Sequence, residues 1–245
     1  MQLTKSFLAR LLDLDEAEIT NIDGLKFDLA RGMEGLNLND LLLERHKTKM
    51  QALAIALESE DALGKVVRGH IHIEHELHQV IFFAAPNPDH LKSFDGQEFS
   101  EKVRLALLLG LKAALAPPLN AAGKLRNKFA HRLDMKLNKE VAENLVATLP
   151  ESLKARFEMS LRNVMLELPK HLSARMPPAL KAHFEALLGR SLSELAQPFD
   201  LLKGEARAHA EAQMDVLAFF LCLFEELANE RHRFASEKLQ RMVAG

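Results

Sequence analysis

Arg126, Asn127 and His131 fall inside one short run, Arg126-Asn127-Lys128-Phe129-Ala130-His131, and between them they hold the side chains needed to act on a phosphodiester without a metal. A histidine can take the proton from a ribose 2′-hydroxyl or return one to the leaving oxygen. A guanidinium can neutralise the phosphate and its developing charge, and an asparagine can orient the group under attack. The surroundings suit an anionic substrate. Six Lys/Arg (124, 126, 128, 132, 136 and 139) stand against one acid, Asp134, in a chain whose formal net charge is −2. Lys124, Lys128 and Arg132 are therefore candidate contacts to RNA phosphates, with Arg126, Asn127 and His131 as the catalytic set. At about 100° per residue, Ala122, Leu125, Phe129 and Leu133 share the sector that faces a core, and Asn127 and His131 point outward together. Arg126 lies at the margin, about 140° from His131 on an ideal helix. Convergence on one phosphate then requires a helix end, a long rotamer or a second subunit. The plainer alternative is a positively charged helix end that carries a surface histidine.

Other chemistry-bearing patterns fall short. In His70-Ile71-His72-Ile73-Glu74-His75-Glu76-Leu77-His78, a zincin pattern starting at His75-Glu76 needs a histidine where Gln79 stands, and the inverted pattern needs one where Ile71 stands. Only His70, Glu74 and His78 keep to one helix face, so the stretch reads as a polar face, solvated or at an interface, with no metal and no cofactor expected. The segment from Ala186 to Ala196 has the turn glycine of a helix-turn-helix. Its second helix carries no Lys, Arg, Asn or Gln before Gln197, and Pro198 follows, so it has little with which to read base edges. With phenylalanine the only aromatic beyond histidine, a stacking platform for single strands is poorly supplied.

The elements that must position the Arg126 run are helical. Nineteen β-branched residues in 245, no Trp or Tyr, and few Gly and Pro predict an all-α chain of long helices. Residues 3 to 12 read as a short helix, and 20 to 40 as a turn-rich lead-in. Helical spacing then runs from about Lys49 to Ala84 with a break near Ser59, and Pro86-Asn87-Pro88 ends it. Asp95-Gly96-Gln97-Glu98 offers a capping box for a helix whose stripe Val103, Leu107, Leu111, Leu115 is stopped by Pro117-Pro118. A third helix is predicted from about Leu119 through Arg132. Leu153, Phe157, Leu161 and Val164 begin another, with Pro169 and Pro177-Pro178 as punctuation. The last helix runs from about Glu205 to Met242. Its centre, Met214 to Leu227, is apolar almost all round, which predicts burial in the fold or in a subunit interface. Cys222 lies in that run and reads as a small buried hydrophobe. The nine residues from Val216 to Phe224 are too few to span a bilayer, which takes about 20. With no signal-peptide pattern at Met1 to Asp13, a cytoplasmic location with no membrane association is expected.

At Arg126-Asn127-x-x-x-His131 the chain resembles the HEPN superfamily, marked by Arg, a polar residue and a His after a short gap. The helix beginning Glu98-Phe99-Ser100 and running through Leu105-Ala106 to Leu109-Gly110-Leu111, followed by Lys124 to His131, is similar to the mannitol operon repressor-related branch. The resemblance covers roughly residues 60 to 135. It implies an up-and-down helical bundle of HEPN type with a helical C-terminal extension: residues 1–48 as lead-in, 49–139 as the bundle, and 140–245 completing it or forming an interface. It also implies a homodimer whose paired Arg/His helices line a cleft. Many members are metal-independent endoribonucleases of toxin–antitoxin or defence systems, which would bring RNA and an antitoxin or regulatory protein as partners. Others are non-enzymatic transcriptional regulators or interaction modules.

Overall fold

The structure, a computed structural model, describes residues 9–10, 48–57, 60–93, 96–132, 135–175, 177–188, 191 and 202–244. Residues 48–57 are helical. After them come α1 (Ala62–Ala84), α2 (Phe99–Leu108), α3 (Ala116–His131), α4 (Lys139–Val146), α5 (Glu151–Arg175), α6 (Pro178–Leu188) and α7 (Gly204–Ala244), with short 3-10 turns at Pro88–Ser93 and Ala113–Leu115. No strand occurs among the described residues, so the chain is all-α, as its shortage of β-branched residues requires. The lead-in before residue 48, apart from 9–10, and the helix-turn-helix segment beyond Ser191 lie outside the described residues.

Local chemistry explains most helix ends, including some that patterning misplaced. The break expected near Ser59 falls before α1, whose first turn is capped by Asp61: its carboxylate accepts from the Gly64 amide at 2.7 Å. The capping box at Asp95 to Glu98 does not form the start of α2. Glu98 is the N-cap and its side chain makes no capping bond. The stripe from Val103 to Leu115 is not one helix either. Gly110 adopts φ +102°, Gly110 N–H donates to Leu107 O at 3.1 Å, and Leu111 N–H donates to Ala106 O at 2.9 Å. These paired bonds are a Schellman termination, which needs a residue at ease with positive φ. Pro117 and Pro118, read as a stop, occupy the first turn of α3, where a missing N–H goes unneeded. Conversely Pro169, read as punctuation, lies inside α5. The seventeen or so helical residues before it outweigh one lost hydrogen bond, whose cost is about 3 kcal/mol.

The chain forms two compact units, each assembled from separated stretches. One takes residues 74–112 and 225–244 with the described residues before 53; the other takes 53–73 and 113–224. In the first, Leu77, Val80, Ile81, Val103, Ala106, Leu227 and Ala228 are buried, and the charges sunk beside them are paired. Lys102 donates to Glu74 at 2.7 Å, and Arg231 to Glu76 at 3.2 Å with both side chains nearly covered. Lys112 reaches Glu226 and Glu230 at 3.0 Å each, and Arg233 reaches Glu230 at 2.7 Å. Burial alone would push the Glu230 carboxyl up, but hydrogen bonds from Arg233 and Lys112 outweigh it and hold it below the usual range. This stabilises the fold above that range and is lost as the pH falls through the lowered value.

In the second unit Val66, Ile73, Leu115, Leu119, Leu145, Leu153, Leu217, Phe219 and Leu223 are buried with Phe220, which is fully covered. Burial of this part of α7 within the chain itself settles one of the two readings of its apolar centre. Cys222 is wholly buried, and its Sγ lies 3.7 Å from Leu153 O. Gly69 is where α1 makes room for Phe220: a Cβ there would lie 2.7 Å from the ring. Gly69→Ala is therefore expected to destabilise. Alanine adds about 1 kcal/mol of helix propensity, but overpacking a filled core costs about 1–3 kcal/mol and Phe220 has no exposed side to retreat to. Urea denaturation would check it, and an unchanged or higher midpoint would contradict the expectation.

Candidate nucleic-acid interface

Helix α3 carries the candidate set, and its anchoring is the one its spacing predicts. Pro118, Leu119, Ala122, Leu125 and Phe129 are buried along one face, whereas Lys124, Arg126, Asn127, Lys128 and His131 are exposed. Leu133, expected to continue the buried face, lies outside the described residues. Arg126 donates from Nη1 to Asn127 Oδ1 at 3.0 Å, which aligns the guanidinium with the side chain expected to orient the phosphate and leaves the Asn127 amide N–H groups as donors. His131, one turn beyond Asn127, ends the helix, and Arg132 is its exposed C-cap in extended conformation (φ −135°, ψ 100°). Arg126 and Asn127 are thus brought together within one chain. His131 shares a face with Asn127 through the i, i+4 spacing rather than through a bond to Arg126.

The chain leaving this helix is held a few residues later. Leu137 is fully buried, its carbonyl accepts from His209 Nδ1 at 2.8 Å, and Asn138 caps α4 by accepting from the Val141 amide at 2.9 Å. A carbonyl can only accept, so His209 carries its proton on Nδ1 and accepts on Nε2 from Gln213 at 2.7 Å. The last cation of the basic run is offset by acids. Lys139 pairs with Glu143 at 3.6 Å, and Glu143 and Glu211 both raise the Asp215 carboxyl.

Burial is the main cause of that rise, the two neighbouring acids add to it, and Lys139 opposes it. A carboxyl raised in the folded state costs stability when ionised at neutral pH, and the cost is relieved as the pH falls through the raised value. Asp215→Asn is therefore expected to raise Tm by about 1–3 °C at pH 7, with the gain shrinking toward pH 4. Calorimetry at both pH values tests this. A variant no more stable than the parent at pH 7, or a gain that grows on acidification, would contradict it.

The histidine stretch is not the uniform polar face its spacing suggested. His70 is buried at 3% exposure, His72 meets Phe224 edge-on at 6.2 Å between centroids, and His78 is half-buried; His75 is exposed. Their drift around α1 carries some inward. Among the described residues no group of three or more His, Cys, Asp or Glu is placed to hold a metal, and no helix is long and apolar enough to cross a membrane. Sequence patterning missed the charged residues Glu226, Glu230, Arg231, Arg233 and Lys238 of α7, four of which are less than 9% exposed. The available signal was their i, i+3 and i, i+4 recurrence directly after an apolar run, since a helix that enters a core does not surface abruptly. Neither a protein family, nor a curated protein, nor a solved structure matches the chain.

Proposed function

We propose that this chain is a HEPN-type, metal-independent endoribonuclease of toxin or defence character, acting in the cytoplasm as a homodimer. His131 transfers the proton, Arg126 stabilises phosphate charge and Asn127 orients the group attacked; Lys124, Lys128 and Arg132 hold flanking RNA phosphates. The observation that carries the reading is that all three catalytic candidates are exposed on the helix whose alternate face, Leu125 and Phe129, is buried, with Arg126 and Asn127 already hydrogen-bonded. Supporting the second subunit is the ~140° between Arg126 and His131 on an ideal helix, which a partner's helix bridges by supplying the complementary group. An antitoxin or regulatory protein would be the natural binding partner of such an enzyme.

The test is to incubate purified protein with mixed RNA in excess EDTA beside a His131→Ala control. Cleavage that persists in EDTA and disappears in the control supports the reading. No cleavage of any RNA moves the assignment to the non-enzymatic regulator that the same resemblance allows.

A further inference from the structure

A cavity of about 570 Å³ opens within the first unit, a size suited to a small-molecule ligand. Its walls are the C-terminal end of α1, the Gly110 turn that ends α2, and one face of α7. The α7 face brings Arg233, Lys238 and Arg241 to the cavity with a single carboxylate, Glu237.

The three cations are differently committed. Lys238, 6% exposed, donates to Ala85 O at 2.8 Å and to Phe82 O at 3.5 Å, and so closes the end of α1. Arg233 gives Nη1 to Glu237 at 3.1 Å and Nη2 to Gly110 O at 3.0 Å and Glu230 at 2.7 Å. Its Nε is buried and has no hydrogen-bond partner among the described residues. A buried N–H in that state is uncommon in a folded protein and is normally matched by an acceptor. Arg241 extends from the rim with its side chain 81% exposed and meets Glu237 only at 3.7 Å. The remaining wall is apolar: Phe83, Pro86 and Leu109, with Phe234 under the Arg233 guanidinium at 4.0 Å.

We propose that this cavity binds a small organic anion, a carboxylate or phosphate head on a flat apolar body. The head takes the charge of Arg241 and supplies the acceptor that Arg233 lacks; the body lies against Phe83 and Leu109. A bare cation is repelled by three positive side chains, and a bare inorganic anion leaves the apolar wall unused. The site is independent of the ribonuclease reading.

The test titrates the full chain with 2-naphthoate and with 2-naphthyl phosphate, using uncharged 2-naphthamide as control, by calorimetry and thermal shift. Both anions are expected to bind saturably, and the amide roughly tenfold or more weakly. Arg241→Ala, an exposed change, should weaken the anions about three- to fivefold. Glu237→Gln removes the competing carboxylate and should tighten them. Circular dichroism of both variants confirms that they fold. No saturable binding of either anion, equal binding of anion and amide, or affinities unaffected by both variants would overturn the proposal.

Discussion

His131→Ala is expected to lower the rate of RNA cleavage about 10²–10⁴-fold, the usual reach of a positioned acid–base group, while leaving the protein folded. The second half follows from placement. His131 is an exposed residue at the last position of α3, whose attachment to the core rests on Leu125 and Phe129, so its truncation should change stability by about 0.5 kcal/mol or less. Arg126→Ala should do comparable harm to the rate, since it removes the charge opposing the phosphate. Arg126→Lys should recover only part of it, because an ammonium lacks the planar fork that holds both Asn127 Oδ1 and a phosphate oxygen. If the cleft is shared between subunits, mixing Arg126→Ala with His131→Ala chains should restore some activity through heterodimers in which one intact site forms. Gel assays of a defined RNA in EDTA, with melting curves on each variant, measure all of this. Equal rates for the parent and His131→Ala would remove the catalytic role.

Phe220→Asp is expected to prevent folding of the second unit. Loss of a fully buried ring costs about 3–5 kcal/mol through lost transfer energy and the cavity left behind. The carboxylate put in its place adds a desolvation penalty of several kcal/mol with no cation beside it. Together these consume most or all of the roughly 5–15 kcal/mol by which a domain is stable. Phe220→Leu retains an apolar side chain and should cost far less, so the pair separates burial of charge from loss of shape. Near-ultraviolet dichroism and urea titration read the outcome. A Phe220→Asp protein that melts with the parent would show that the ring is not the core element its complete burial indicates.

The helical class and the face that anchors α3 were legible because both rest on single-residue preference and local spacing: a buried Phe129 four residues from a buried Leu125 is visible in the sequence. The helix ends were less so. Pro117-Pro118 reads equally as a stop or a start, and only the Schellman turn at Gly110, set by which carbonyls its amides reach, decides for a start. Pro169 shows the reverse, a local breaker overruled by a long helix. His70 was misjudged because spacing gives relative angles around α1 and not which angle faces inward. The cavity lined by Arg233 and Lys238 was invisible, since it depends on the carbonyl ends of helices more than 120 residues away in the chain. Whether Arg126 and His131 meet at one phosphate is likewise a matter of long-range partners, which periodicity does not encode.

Cys222 offers a clock. A chain with one thiol, fully covered beneath the carbonyl of Leu153, can react with a bulky disulfide reagent only when that part of the protein opens. At low reagent concentration the labelling rate measures how often the open form is populated. At high concentration it saturates at the opening rate itself, so one colour change reports both the depth and the pace of a fluctuation. The same thiol therefore makes every substitution described above comparable on a common kinetic scale, with no added probe.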